Sequence, residues 1–250
     1  HVGEGDLSVF MSKMNDFAMK IGADKTHFDN PHGLDSSTHY TTAKDLAIIT
    51  SYALKNDIFK EVVSTKYKQI TGNKESGDRY LRNKNKLLFT QDGNIGVKTG
   101  FTDNAGRCLV NAVEKDDMQI ISVVLNCGSM FEECKRLTNL ALTEYSIKEF
   151  ISPYNFVGTI QVLNGDKNEI NVVSIKGYKI PIKNCNNDRY KVIYDIPETL
   201  EAPIKKNEVI GKVKVCFDEE IIYEVDLYTI HDIKNINIKS MLDNIIENWF

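Results

Sequence analysis

Apolar residues recur at helical spacing near the start of the chain, at Leu7, Phe10, Met11, Met14, Ala18 and Ile21, with Asp6 before them as an N-cap and Gly22 after them as a stop. The spacing predicts a helix that faces a core. A second helix is predicted from about Thr41, with Leu46, Ala47, Ile49, Ala53 and Leu54 inward and Ile58 to Val63 as a short continuation. Tyr67–Ile70 and Tyr80–Leu81 flank a turn-rich stretch and read as a hairpin. Strands are predicted at about 95–99, 106–114 and 118–126, the last two joined by Lys115-Asp116-Asp117. A long helix from Met130 to about Lys148 follows, with Phe131, Cys134, Leu137, Leu140, Ala141 and Tyr145 on the stripe that packs on this sheet.

Beyond Ile151-Ser152-Pro153-Tyr154 the period changes to short alternating runs. Phe156–Leu163, Ile170–Ile175, Tyr190–Ile196, Val209–Phe217 and Ile221–Ile230 read as strands, with Asn164-Gly165-Asp166 and Asp218-Glu219 as turns. The last segment puts Ile238, Met241, Leu242, Ile245, Ile246, Trp249 and Phe250 on one helical stripe. That helix has two readings: an amphipathic helix on a membrane surface, or a helix docked on protein. Its acidic polar face, with only Lys239 as a nearby cation, favours docking.

Composition narrows the class. A chain of 250 residues with 42% hydrophobic content can bury a sizeable core, and its net charge of −4 gives no basic face for nucleic acid. No apolar run approaches the roughly 18–20 residues that span a bilayer. The five cysteines fit neither a zinc pattern nor a disulfide framework and read as structural. His27, His32 and His39 cluster in sequence, but Pro31 and Gly33 mark turns between them, so no metal site is expected, and no cofactor.

The chemistry concentrates in Asn94-Ile95-Gly96-Val97-Lys98-Thr99-Gly100-Phe101-Thr102, where a Lys-Thr-Gly triplet ends an extended apolar run. Lysine offers a fixed positive charge for a carboxylate, threonine a short hydroxyl donor, and glycine a close approach of backbone to ligand. Alone, the triplet is also what a surface strand running into a Thr-Gly turn looks like.

Its neighbours form an ordered series: Asn30-Pro31-His32-Gly33-Leu34-Asp35, Thr41-Thr42-Ala43-Lys44-Asp45-Leu46-Ala47, Asn83-Lys84-Asn85-Lys86-Leu87-Leu88, then Ala105-Gly106-Arg107-Cys108-Leu109-Val110 and Ile120 to Leu125. In this order the segments resemble the D-alanyl-D-alanine carboxypeptidases, low-molecular-mass penicillin-binding proteins, closely over residues 7–145 and loosely beyond. The resemblance implies an α+β fold: an incomplete transpeptidase-like catalytic domain over residues 1–150, a small all-β domain over 151–233, and a C-terminal helix over 234–250. It implies an extracytoplasmic bacterial enzyme that removes the terminal D-alanine of peptidoglycan stem peptides and is inhibited by β-lactams. Lys98 and Thr99 would hold the substrate carboxylate, Gly100 would let its backbone approach, the Phe101 N–H would supply an oxyanion donor, and Lys84 would add a second charge or stand as a solvated loop lysine. Asn30–Asp35 would support the site.

One departure stands out. Such enzymes acylate through Ser-x-x-Lys and use Ser-x-Asn, yet no serine here is followed three places on by lysine or two places on by asparagine. Thr41-Thr42-Ala43-Lys44 has the first spacing with threonine, at a helix start. The expectation is that the serine-bearing segment precedes His1 and that these residues alone are inactive. Two further readings stay open: a non-catalytic module that binds cell wall or a partner, and a serine β-lactamase, which the appended β domain weakens.

Overall fold

The computed structural model describes residue 3, residues 5–72 and residues 77–236. Helix α1, Leu7–Lys20, starts where the Asp6 carboxylate accepts the Ser8 N–H at 2.7 Å. It stops at Gly22, whose φ of 90° suits a residue without Cβ, and the Ala23 N–H returns to the Ala18 carbonyl at 2.9 Å. Met11 and Ala18 are buried, while Leu7 stays 59% exposed, so the inward stripe is narrower at its start than the sequence predicts.

Helix α2, Ala43–Ala53, is capped by Thr42, whose hydroxyl accepts the Asp45 N–H at 3.1 Å. The run Thr41-Thr42-Ala43-Lys44 therefore opens a helix, with Thr42 as its cap and the Thr41 hydroxyl 2.9 Å from that of Thr26. Asn56 accepts the Phe59 N–H at 3.0 Å and opens helix α3, Asp57–Ser64, as an element of its own, because a new cap interrupts the expected continuation. Strands β1, Tyr67–Ile70, and β2, Arg79–Arg82, pair antiparallel as the expected hairpin. After the short helix α4, Leu87–Thr90, strands β3, Asn94–Thr102, β4, Gly106–Lys115, and β5, Met118–Val124, form an antiparallel sheet in that order. Helix α5, Met130–Glu144, follows.

Alternation along β4 sends its side chains to two cores. Leu109 joins Leu87, Val124, Met130 and Cys134 under α5. Val110 and Ala112 join Leu54 and Val97, with Leu46, Phe59 and Val63 from α2 and α3 packed against them. Asn111 lies fully buried between strands and helix. Its carbonyl accepts from the Asn94 amide at 2.6 Å, and its own amide reaches the Gln91 carbonyl at 3.2 Å and the Thr138 hydroxyl at 3.4 Å. A buried network of this kind fixes register, since a one-residue slip would strand its polar groups without partners.

The chain divides into two units, His1–Glu144 and Tyr145–Phe250. The helix predicted to run to about Lys148 ends at Glu144, and strand β6, Tyr145–Ile151, begins at the next residue. No glycine or proline marks the change, and Tyr145 continues the apolar spacing of α5, so the periodicity hides it. β6 pairs with β9, Tyr178–Lys183. Between them lie β7, Asn155–Leu163, and β8, Glu169–Ser174. Then come β10, Tyr190–Asp195, β11, Thr199–Glu201, β12, Val209–Phe217, and β13, Glu220–Thr229. The order β10-β12-β13-β8-β7-β11 makes a six-stranded sheet, antiparallel except for β11 on β7. Ile160, Val162, Val172, Val213, Val215 and Leu227 alternate into its core. Asp218 and Glu219, both at positive φ, make the two-residue turn between β12 and β13. The α+β class follows, with the second unit built from strands. The C-terminal helix expected over 234–250 lies almost wholly outside the described residues, and no helix among those residues is long and apolar enough to cross a membrane.

Asp45, 1% exposed, ties the connection before α2 to the helix. Its carboxylate accepts from the Thr26 hydroxyl and the Lys25 N–H, each at 2.7 Å, and these two bonds, the hydroxyl foremost, hold its pKa below the ordinary 3.8. A depressed carboxyl pKa contributes stability above the unfolded value and loses it as pH falls through the folded one. Asp45→Asn is therefore expected to lower the thermal midpoint at neutral pH, with the gap to wild type closing below about pH 3.8, measured by thermal unfolding across pH.

Candidate active site

The Asn83–Lys86 run is shaped by its two asparagines. The Asn83 amide donates to the carbonyls of Thr65 at 3.1 Å and Val63 at 3.3 Å, and its own carbonyl oxygen accepts the Asn85 N–H at 2.9 Å. Asn85, 1% exposed, accepts the Leu87 N–H at 3.1 Å and donates to the Gly96 carbonyl at 2.9 Å. With both amides turned inward, Lys84 and Lys86 face outward.

Strand β3 is an edge: β4 covers one side, and among the described residues no strand pairs with the other. Lys98 lies exposed opposite Val110, and its ammonium donates to the Thr99 carbonyl. Thr99 is half-buried opposite Leu109. Gly100 lies opposite Cys108, where a Cβ would meet only the Cys108 Cβ at an ordinary 3.7 Å. The chain's own packing therefore does not demand glycine there. Phe101, 67% exposed, lies opposite Arg107.

A cleft of about 1030 Å³ gathers these residues, with Lys98, Thr99, Gly100, Phe101, Lys84 and Lys86 all on its wall. Arg107, Phe131 and the loop Pro31–Leu34 line it too, and among the described residues no aspartate or glutamate does. The loop is held in shape by the Asn30 side chain, which accepts the Gly33 N–H at 2.7 Å and donates to the Leu34 carbonyl at 2.9 Å. Asp35 then binds it to the end of β3, accepting from the Thr102 hydroxyl at 2.8 Å and the Asn104 amide at 3.2 Å. The nearby histidines brace loops: the His27 ring contacts the Thr38 carbonyl at 2.9 Å, and the His39 ring accepts the Asp29 N–H at 3.1 Å.

Lys84, Lys98, Thr99, Gly100 and Phe101, the catalytic and substrate-binding candidates, thus line one cleft, while Asn30 and Asp35 shape its rim from outside the lining. Sequence reasoning passed over Arg107 and Lys86 as site residues and missed Asn85 as a support; Asp35 lay within the supporting loop, and its tie to Thr102 and Asn104 came only with the structure. A signal existed for the first, since a β3–β4 hairpin turning at Asp103-Asn104-Ala105 puts Arg107 across from Phe101.

The profile of the D-alanyl-D-alanine carboxypeptidases matches residues 1–129. The chain belongs to this family. A second profile, the C-terminal domain of penicillin-binding protein 5, matches residues 145–235. D-alanyl-D-alanine carboxypeptidase DacC of Escherichia coli K12 is 33% identical over 214 residues, 84% of this chain and 52% of the relative. D-alanyl-D-alanine carboxypeptidase DacF of Bacillus subtilis is 27% identical over 250 residues, 98% of this chain and 64% of the relative. The structure of penicillin-binding protein 5 from Haemophilus influenzae superposes with a TM-score of 0.65 at 28% identity, covering 93% of this chain and 68% of that one. The chain thus spans between about half and two thirds of the length of these curated relatives.

In this member of the family, the Asn85 amide joins α4 to β3 just ahead of Lys98. Asn85→Ala leaves the Gly96 carbonyl and the Leu87 N–H without their partner and is expected to cost about 2–3 kcal/mol. Denaturant unfolding checks this, and a loss below about 0.5 kcal/mol would assign the bond no structural weight.

Proposed function

We propose that this chain supplies the Lys-Thr-Gly wall of a serine-type D-Ala-D-Ala carboxypeptidase acting on peptidoglycan stem peptides outside the cytoplasm, with the acylating serine on sequence outside these 250 residues. The observation that carries the reading is a cationic cleft beside a strand edge, with Lys84 and Lys98 on its wall and, among the described residues, no strand on that edge and no carboxylate lining the cleft. A peptide ending in a carboxylate and laid along β3 would satisfy both the charge and the edge.

The roles follow from the atoms. Lys98 and Lys84 attract the terminal carboxylate, and the Thr99 hydroxyl donates to it. Gly100 keeps the strand surface clear, which fits the free space where its side chain would stand. The serine oxygen bonds to the carbonyl carbon of the penultimate D-alanine while the Phe101 N–H steadies the charge growing on the carbonyl oxygen. The C–N bond then breaks, the departing amine takes a proton, and free D-alanine leaves. Water adds to the acyl-enzyme and releases the shortened peptide with the serine restored. A β-lactam enters the same path, and its ring-opened acyl group stays attached.

The complete product of the encoding gene is expected to form a stable covalent adduct with benzylpenicillin, read by intact mass. Lys98→Ala is expected to slow acylation about 100-fold without moving the unfolding midpoint. Unchanged acylation in that variant would remove Lys98 from the site, and a wild-type protein with no adduct would leave binding as the activity of the cleft.

A further inference from the structure

The cleft carries more positive charge than a single terminal carboxylate requires. Besides Lys84 and Lys98, its wall includes Lys86 and Arg107. Lys86 sits over the Phe131 ring, its ammonium 5.5 Å from the centroid, which holds this charge on the wall. Among the described residues Arg107 has no carboxylate within ion-pair distance. The carboxylate tied to the neighbouring turn, Asp35, is shared between Thr102 and Asn104.

Placement gives this surplus a direction. Three residue steps, about 10 Å at strand rise, take β3 from Lys98 to Phe101, and Arg107 lies directly opposite Phe101. On the carboxypeptidase reading proposed above, the terminal carboxylate sits at Lys98 and Thr99 and the scissile carbonyl at the Phe101 N–H. An extended peptide in that pose places the residue before its D-Ala-D-Ala pair about one step beyond Phe101, level with Thr102 and Arg107. The line of the peptide runs two strand spacings, about 10 Å, from the Arg107 Cα. An arginine and a long side chain ending in a carboxylate close that gap between them. An amine-ended side chain would instead meet like charge.

We propose that Arg107, with Lys86 on the wall of the same cleft, selects stem peptides whose third residue carries a carboxylate at the end of its side chain. The guanidinium fork can take such a carboxylate through two parallel N–H bonds, a geometry that lysine cannot reproduce.

The test compares D-alanine release by the complete gene product from three N-acetylated peptides ending in D-Ala-D-Ala. Their third residues end in an amine alone, in an amine and a carboxylate, or in an amine and the corresponding amide. The expected kcat/KM for the carboxylate peptide exceeds that for the other two about tenfold, mainly through KM, and the ratio falls toward one in Arg107→Gln. Arg107→Lys recovers part of it, which a merely structural role for Arg107 would not produce. Equal turnover of the three peptides by wild type, or an unchanged ratio in Arg107→Gln, overturns the selectivity while leaving the carboxypeptidase reading in place. Absence of D-alanine release from every peptide together with absence of a penicillin adduct overturns that reading, and the selectivity falls with it.

Discussion

The hydrogen bond from the Asn85 amide to the Gly96 carbonyl sets the geometry on which the rest of the cleft depends. It spans two segments that are separate in sequence, the Asn83–Lys86 run and the start of β3. On one side it fixes where Lys84 and Lys86 leave the surface, and on the other the height at which Val97 enters the core and Lys98 leaves it. Because Asn85 is buried, the bond competes with no bulk water, and breaking it would strand the Gly96 carbonyl and the Asn85 amide. The positions of the cations along the cleft are therefore set by an uncharged amide.

Beneath that contact the sheet divides its labour by alternation. The β4 residues that hold α5 and those that hold α2 and α3 occupy opposite faces, and Asn111 joins the strands to α5 through Gln91, Asn94 and Thr138. One edge of the sheet can stay open because both faces are covered. Asp35 closes the arrangement from above by tying the Asn30–Asp35 loop to the turn that ends β3.

Much of this was legible in the sequence. The α1 stripe, the cap at Asp6, the start of α2 near Thr41, the β1–β2 hairpin, the three-stranded sheet and most strands of the second unit follow from period and turn chemistry, which are local properties. The junction at Tyr145 was hidden because a residue can satisfy helical spacing and strand propensity at once. Strands β9 and β11 were hidden because one contains Pro181 and the other is only three residues long. At the cleft, the triplet announced itself through residue type, whereas Asn85 and Asp35 act over 11 and 67 residues of separation, and no local pattern encodes such contacts.

The open side of β3 bears on the company this protein keeps. An unpaired strand is a template for any other strand, and a flat apolar one invites sheets to stack edge to edge. Here the rim is set with long cationic side chains at Lys84, Lys86 and Lys98, and the ladder is disturbed where the register shifts between Asn94 and Gly96. A second sheet arriving with its own lysines or its full width would be turned away. A single short chain that brings negative charge of its own would not, so the side chains proposed to meet a ligand would also disfavour edge-to-edge pairing of two copies.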